Sequence, residues 1–371
     1  MEVLDFMNTH KDWEDILIQP PYSIIVKHDG NYVLLKYSQL NSDFNNKIVR
    51  ECRGAIFYKL PKGVGYICVC RAFDKFGNYS EGYVPDIDWD SAVVEEKVDG
   101  SLIKFFFHNN RWHIATNGTI DAFNATIGDD DTNFGDLVYE ALGGKDRFKE
   151  FTHLLDKNWT YMFELVSPKS RVTIFYPETK LYYLGERNRF SMRENKRYQD
   201  FMQDYGVLCP KEFNLHSLDD CLEYVKTMTK DEEGFVIRDG NFNRIKLKSP
   251  EYLLAFHMDN NGVVTTRRIV EMIKNEQIDD FLAYCPKYKD AVDDVLKRIH
   301  IIAVCMEMEW AVASSYRNYD RKEFVKLFKD YKYNDFLFMK LDNPELNAID
   351  YLMTKWTKTI VKMINEVNEG A

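Results

Sequence analysis

The sequence predicts an α+β protein in two parts, a domain of antiparallel sheets over residues 1–254 and an all-helical domain over residues 255–371. Three observations predict it. From Tyr22 to about Pro250 the chain is a succession of short alternating or aromatic-rich runs separated by Asn, Asp, Gly and Pro, the pattern of packed antiparallel strands. After Tyr252 apolar residues recur at spacings of three and four, the period of amphipathic helices. Between the two textures there is no repeat, low-complexity tract or Gly/Ser linker, so the boundary near Glu251 to Asn261 is a short hinge at most.

In chain order, strands are expected at YVLLKY (Tyr32–Tyr37), YICVCRAF (Tyr66–Phe73), LIKFFFH (Leu102–His108), RWHIAT (Arg111–Thr116), RVTIFY (Arg171–Tyr176), LYYLGE (Leu181–Glu186) and GFVIRD (Gly234–Asp239). Helices interrupt them near Asp136–Leu142 and Leu218–Thr229. His108 and His113 flank a hairpin turn and are read as solvated strand ends, not a metal pair. The seven cysteines form no CxxC pair, so reduced thiols are expected.

A chain of 371 residues, 45% hydrophobic, has ample material for two cores. Its net charge of -10 argues against a general nucleic-acid coat, so cations that meet a polyanion must be concentrated locally. No run of about 18 apolar residues is present, and the first residues are acidic where a signal peptide would be basic and then apolar. A cytoplasmic protein without membrane contact, working as a monomer, is the expectation.

Candidate chemistry starts at Lys97 in EEKVDGSLIKFFF, which follows Val93 and Val94 and precedes an Asp-Gly turn and a second apolar strand. An amine held there is partly desolvated, which disfavours the ammonium and readies it as a nucleophile towards phosphorus. The bland alternative is a solvated lysine beside a hairpin turn. Arg53 in ECRGAIFY has a glycine behind it and a strand ahead, so its fork can grip phosphate oxygens; the alternative is an ion pair with Glu51. Glu164 sits between Phe163 and Leu165 on an apolar strand, where a carboxylate needs something to bind, either ribose hydroxyls, Mg²⁺ or a basic side chain. Glu233 opens EGFVIRD in the same way. Lys246 and Lys248 are two apart on one strand, so both ammonium groups share a face, as suits a polyphosphate or, alternatively, a solvated edge strand.

The order Lys-x-Asp-Gly, Phe-Glu, Glu-Gly and Lys-x-Lys, with ECRG upstream and KSPEY downstream, resembles the covalent nucleotidyltransferases that include polynucleotide ligases and mRNA-capping enzymes. Among these the chain is most similar to the ATP-dependent RNA ligase 1 family of T-even-like phages. The resemblance implies a nucleotidyltransferase domain with ATP-grasp-like antiparallel sheets, followed by the helical domain. It implies that Lys97 forms a lysyl-AMP adduct, that Tyr37, Arg53 and Lys75 contact ATP, that Glu164 and Glu233 bind nucleotide and Mg²⁺, and that Lys246 and Lys248 hold phosphates. Asp279 falls where the family has a metal ligand in its second domain. The roles of Gly100, Asn117 and Phe76 stay open: the family has a lysine where this chain has Asn117, and an aromatic where it has Gly77.

The resemblance further implies sealing of 5′-phosphate and 3′-hydroxyl RNA ends, with a tRNA cleaved in its anticodon loop as the substrate. In the tail, Arg317, Arg321, Lys322, Lys326, Lys329 and Lys332 interleave with Tyr and Phe, as RNA-binding surfaces do and as ordinary amphipathic helices with a solvated face also do. A capping guanylyltransferase or a DNA ligase would share the lysine but carry a β-rich domain after Lys-x-Lys. A non-catalytic RNA-binding protein on the same frame is the remaining alternative.

Overall fold

The computed structural model describes residues 1–39, 41–127, 132–253, 264–274, 277–278, 281–282, 285–344 and 346–368. Asp279 lies outside them. Two compact units are present, Met1–Phe256 and His257–Ala371.

The first unit contains thirteen strands among its described residues: β1 Ile24–Asp29, β2 Tyr32–Tyr37, β3 Arg53–Lys59, β4 Tyr66–Cys70, β5 Val93–Glu96, β6 Ser101–His108, β7 Arg111–Thr116, β8 Trp159–Val166, β9 Lys180–Asn188, β10 Glu194–Asn195, β11 Glu212–Phe213, β12 Gly234–Arg238 and β13 Arg244–Lys248. They form three antiparallel sheets, in the orders β1-β2-β3-β4, β10-β9-β8-β6-β7 and β11-β5-β12-β13. Tight turns set the registers. Asn109 and Asn110, both at positive φ, close the two-residue loop that pairs His108 with Arg111.

The first two sheets are buried on both faces. In β6, Ile103 and Phe105 enter a core with Leu137, Val138, Phe148 and Phe151 of the helices Phe134–Leu142 and Lys145–His153. Phe106, from the opposite face of β6, meets Leu34, Ile56 and Val69, so the first sheet packs on that face of the five-stranded sheet. The third sheet covers the helix Leu218–Val225 through Val94, Phe235 and Ile237. A fourth core joins Val3, Met7 and Trp13 of the N-terminal helices to Leu35 and Phe57.

One expected strand is absent. Arg171–Tyr176 is irregular, because Thr173 and Ile174 donate their N–H groups to the Asp99 carboxylate, at 2.8 and 2.7 Å, and not to a neighbouring strand. His108 and His113 are also less solvated than expected: His108 Nδ1 lies 2.8 Å from the Tyr32 hydroxyl, and His113 stacks on Phe106. Burial pushes both imidazoles below their ordinary pKa.

The second unit's described residues hold the helices Thr266–Lys274, Lys289–Ala313, Arg321–Phe328, Asn334–Asp342, Ala348–Thr354 and Thr357–Asn368. Val292, Val295, Ile299, Ile302 and Met306 form the buried stripe of the longest, at three and four residue intervals. No described helix is long and apolar enough to cross a membrane. All seven cysteines are free thiols.

Candidate functional site

Lys97 stands just past β5, where the chain leaves the third sheet to enter the five-stranded one. KVDG is therefore a crossing between sheets and not a hairpin turn. Asp99 fixes the crossing: besides the two backbone donors, its carboxylate accepts from the Tyr252 hydroxyl at 3.1 Å, and its own N–H donates to the Tyr176 hydroxyl. Burial and the nearby Glu233 charge raise the Asp99 pKa. Gly100 lets β6 run close against β8, since a Cβ there would meet the Leu165 carbonyl and lie 3.0 Å from Glu164 Cγ.

At the centre is Glu233. Its Oε1 is 2.8 Å from Lys97 Nζ and 2.8 Å from Lys248 Nζ. The backbone makes this meeting possible: Lys97 N–H donates to the Gly234 carbonyl at 2.9 Å, and Gly234, at φ +138°, pairs with Lys248 across β12 and β13 where any side chain would strike Leu247. Burial pushes the Glu233 pKa up, but Lys248 and Lys97 outweigh it and hold the carboxyl below its usual range. Lys97 itself is 21% exposed. Its ion-pair partner is the Glu233 carboxylate, which the sequence reading had not paired with it.

Glu164 lies on the same side of the five-stranded sheet as Met162 and Leu102, which pack towards Phe73. It makes no ion pair with the described residues, which removes the reading of it as a simple salt-bridge partner. Burial raises its pKa to about 7, against the pull of Lys97, with Glu233 adding to the rise and Arg53 opposing it. Arg53 is held over the rings of Phe73 and Phe76, at 4.6 and 5.1 Å, while its buried Nε and Nη1 have no hydrogen-bond partner among the described residues. The alternative pairing with Glu51 is excluded, because Glu51 accepts from Val3 N–H and Arg71. Phe76 is accordingly a platform for Arg53. A Cβ at position 77 would meet the ends of the Glu81 and Tyr83 side chains, which would have to swing aside to admit an aromatic there.

Lys75 reaches over the rings of Phe44 and Tyr37, at 4.8 and 5.5 Å. It lines a cavity of about 260 Å³ together with Arg50, Arg187, Arg244 and Phe76. Lys246 and Lys248 are only 8% and 3% exposed, which rules out the solvated-edge reading. Although β13 ends its sheet, the segment after Phe76 covers it: Lys246 N–H donates to the Gly77 carbonyl at 2.9 Å, and Tyr79 N–H to the Lys246 carbonyl at 3.1 Å. Asn117 lies against Gly54, its Oδ1 2.8 Å from where a Cβ would stand, with Lys104 Nζ close by. Asp99, Tyr252 and Lys104 were not singled out from the sequence. Lys104 had one available signal, a lysine at the centre of the apolar run LIKFFFH.

Among the described residues no three His, Cys, Asp or Glu side chains gather into a ready-made metal site. Glu164 and Glu233 Oε2, the latter buried without a hydrogen-bond partner, are what the described residues of this site offer a cation. That donor set suits Mg²⁺, which is commonly held by one or two carboxylates and completed by substrate phosphates.

A sequence model of the family described as RNA ligase matches residues 51–252. The chain is 31% identical over 285 residues to a putative bifunctional polynucleotide kinase/RNA ligase of Autographa californica nuclear polyhedrosis virus, covering 72% of this chain and 39% of that protein, so it spans about two fifths of that relative's length. It is 23% identical to an RNA ligase of Rhodothermus phage RM378, with 87% of each covered. An archaeal ATP-dependent RNA ligase structure aligns at a TM-score of 0.46 and 12% identity, over 92% of this chain and 97% of that one. The matched segment runs from Glu51 to Tyr252 and so contains Lys97, Glu164, Glu233 and Lys248: the chain belongs to the RNA ligase family.

Proposed function

We propose that this chain is an ATP-dependent RNA ligase that seals 5′-phosphate to 3′-hydroxyl ends, with a tRNA cleaved in its anticodon loop as the substrate. The observation that carries the reading is the Lys97–Glu233–Lys248 bridge, a nucleophilic amine and a phosphate-binding ammonium held on one carboxylate oxygen. Lys97 Nζ attacks the α-phosphorus, forming a P–N bond as the bond to pyrophosphate breaks. Arg53, Lys75, Lys246 and Lys248 offset the charge that develops on the phosphates. Mg²⁺ held by Glu164 and Glu233 would add Lewis-acid stabilisation of the same charge. A 5′-phosphate oxygen then displaces Lys97 from the adenylate, and a 3′-hydroxyl displaces AMP.

Residues 1–254 make the adenylyltransferase part of this reading, and residues 255–371 the RNA-specificity part. Arg317, Lys322, Lys326 and Lys329 are exposed around the helix Arg321–Phe328, beside exposed Tyr316, Tyr319 and Tyr331. Phe324 and Phe328 are buried and belong to the core. The work is that of a monomer in the cytoplasm, the host's if the chain is phage-encoded. The two relatives, each named as an RNA ligase, support the RNA substrate class.

The test is labelling of the chain with α-³²P-ATP and, separately, with GTP, followed by mapping of the adduct. An adduct at Lys97 from ATP alone is expected. Labelling by GTP in preference to ATP would favour the capping reading, and no labelling would favour the non-catalytic one.

A further inference from the structure

Lys104 is a completely buried lysine. It lies on β6 between Leu102 and Phe106, on the face where the first sheet packs against the five-stranded sheet. Its ammonium donates to the Gly54 carbonyl. No carboxylate among the described residues pairs with it. The titratable groups that face it are the thiols of Cys70 and Cys68 on β4, Arg53 beside Gly54, and Lys36 on β2. Two of those four are cations, which make the placement worse. A single neutral carbonyl returns much less than it costs to bury an ammonium, and an apolar side chain of similar length would fill the site more cheaply.

An ammonium in such a place would be stabilised by an anion, and the described residues supply none. The surroundings indicate where the anion would come from. Gly54 follows Arg53, whose buried Nε and Nη1 have no hydrogen-bond partner among the described residues. The turn after β7 closes over the same spot: Asn117 packs on Gly54, Lys27 Nζ donates to the Gly118 carbonyl at 3.1 Å, and Lys36 Nζ stands 3.7 Å from the Cβ position of Gly118. Lys104 and Arg53 thus stand at Gly54, and Lys27 and Lys36 at Gly118, one residue past the Asn117 that packs on Gly54, in a chain of net charge -10.

We propose that Lys104 is an internal cation of the nucleotide site, a positioning residue that holds the Gly54–Asn117 contact behind Arg53 and supplies positive potential that a bound triphosphate offsets. Its role rests on the ligase reading above. Burial depresses the Lys104 pKa, so the charge that favours ATP in this way is lost as pH rises through that depressed value.

The test compares ATP binding, with metal chelated so that no adduct forms, in the wild-type chain, Lys104→Gln and Lys104→Met. Glutamine keeps a donor for the Gly54 carbonyl and removes the charge. The free Lys104→Gln chain is expected to melt no lower than wild type, while ATP affinity falls about ten-fold in both variants, or roughly 1.4 kcal/mol. The decline of wild-type ATP affinity towards alkaline pH should flatten in the glutamine variant. Equal affinity in wild type and Lys104→Gln would overturn the proposal alone, as would a loss of affinity matched by a loss of thermal stability. A wild-type chain that does not bind ATP would overturn the ligase reading, and this proposal with it.

Discussion

Tyr252 donates its hydroxyl to the Asp99 carboxylate at 3.1 Å, across 153 residues of sequence. The bond ties the segment after the two lysines of β13 to the Lys97 crossing. Tyr252→Phe should therefore slow adduct formation several-fold and lower stability by about 0.5–1.5 kcal/mol, the usual worth of one internal hydrogen bond. Denaturant titration and single-turnover labelling check the two effects. Unchanged labelling would mean that Thr173 and Ile174 suffice to hold Asp99.

Lys97→Ala should abolish the protein–AMP adduct yet retain sealing of a pre-adenylated RNA, since the amine acts in the first transfer only. Gel labelling with ATP and ligation of adenylated RNA separate the two. A labelled mutant would place the nucleophile elsewhere.

Lys246→Ala and Lys248→Ala should each cut adenylation by roughly 2–4 kcal/mol of transition-state stabilisation, the range for losing one preorganised electrostatic contact. The Lys248 variant also leaves Glu233 with Lys97 as its one cation partner among the described residues. Arginine at either position should rescue only in part, because a planar fork does not replace a compact ammonium in a buried slot. Near-normal labelling in both alanine variants would disconnect β13 from the phosphates.

Glu164 provides a pH signature. Its folded pKa of about 7 is raised above the usual carboxyl value, chiefly by burial, so the unfolded chain loses its proton first as pH rises. Stability from this group is therefore intact below the ordinary carboxyl pKa and declines from there to about pH 7. The decline should amount to about 1–3 kcal/mol, allowing roughly 1.4 kcal/mol per pKa unit and some screening by solvent. Glu164→Gln should remove that part of the slope, which urea unfolding at pH 5 and pH 8 would measure. An identical slope in the variant would show that Glu164 titrates normally.

Truncation after about residue 255 should preserve ATP labelling and its dependence on Lys97, while sealing of a nicked tRNA anticodon loop falls relative to sealing of a short unstructured RNA. The salt dependence of tRNA sealing should flatten as well, if the helix Arg321–Phe328 supplies phosphate contacts. Equal losses on both RNAs would assign the tail to stability.

Much of the sheet domain was legible because its strands are short alternating or aromatic-rich runs and its turns carry Asn, Asp and Gly. The Lys97, Glu233 and Lys248 constellation was legible as motifs in order, though the bridging by a single carboxylate oxygen was not, since it depends on the close backbone approach at Gly234. RVTIFY misled for a similar reason: its apolar alternation is real, but Asp99 takes its backbone donors, and a contact between residues 75 apart leaves no local trace. Lys104 escaped because periodicity marks which face a residue takes without saying whether its charge is compensated there. Phe76 gained its place beneath Arg53 only through folding of its loop, which no local pattern marks.

The bonds between Gly77 and Lys246 and between Tyr79 and Lys246 bear on how the protein is made. The segment carrying Lys75 and Phe76 is translated early, but its docking strand is nearly the last of the sheet domain to emerge. Such a long-range closure comes late in folding, after shorter loops have formed. A nascent chain that stops short of β13 would have Lys97 and Glu233 and lack Lys248, the second cation of their bridge, so nucleotide binding should begin abruptly once Lys248 has left the ribosome.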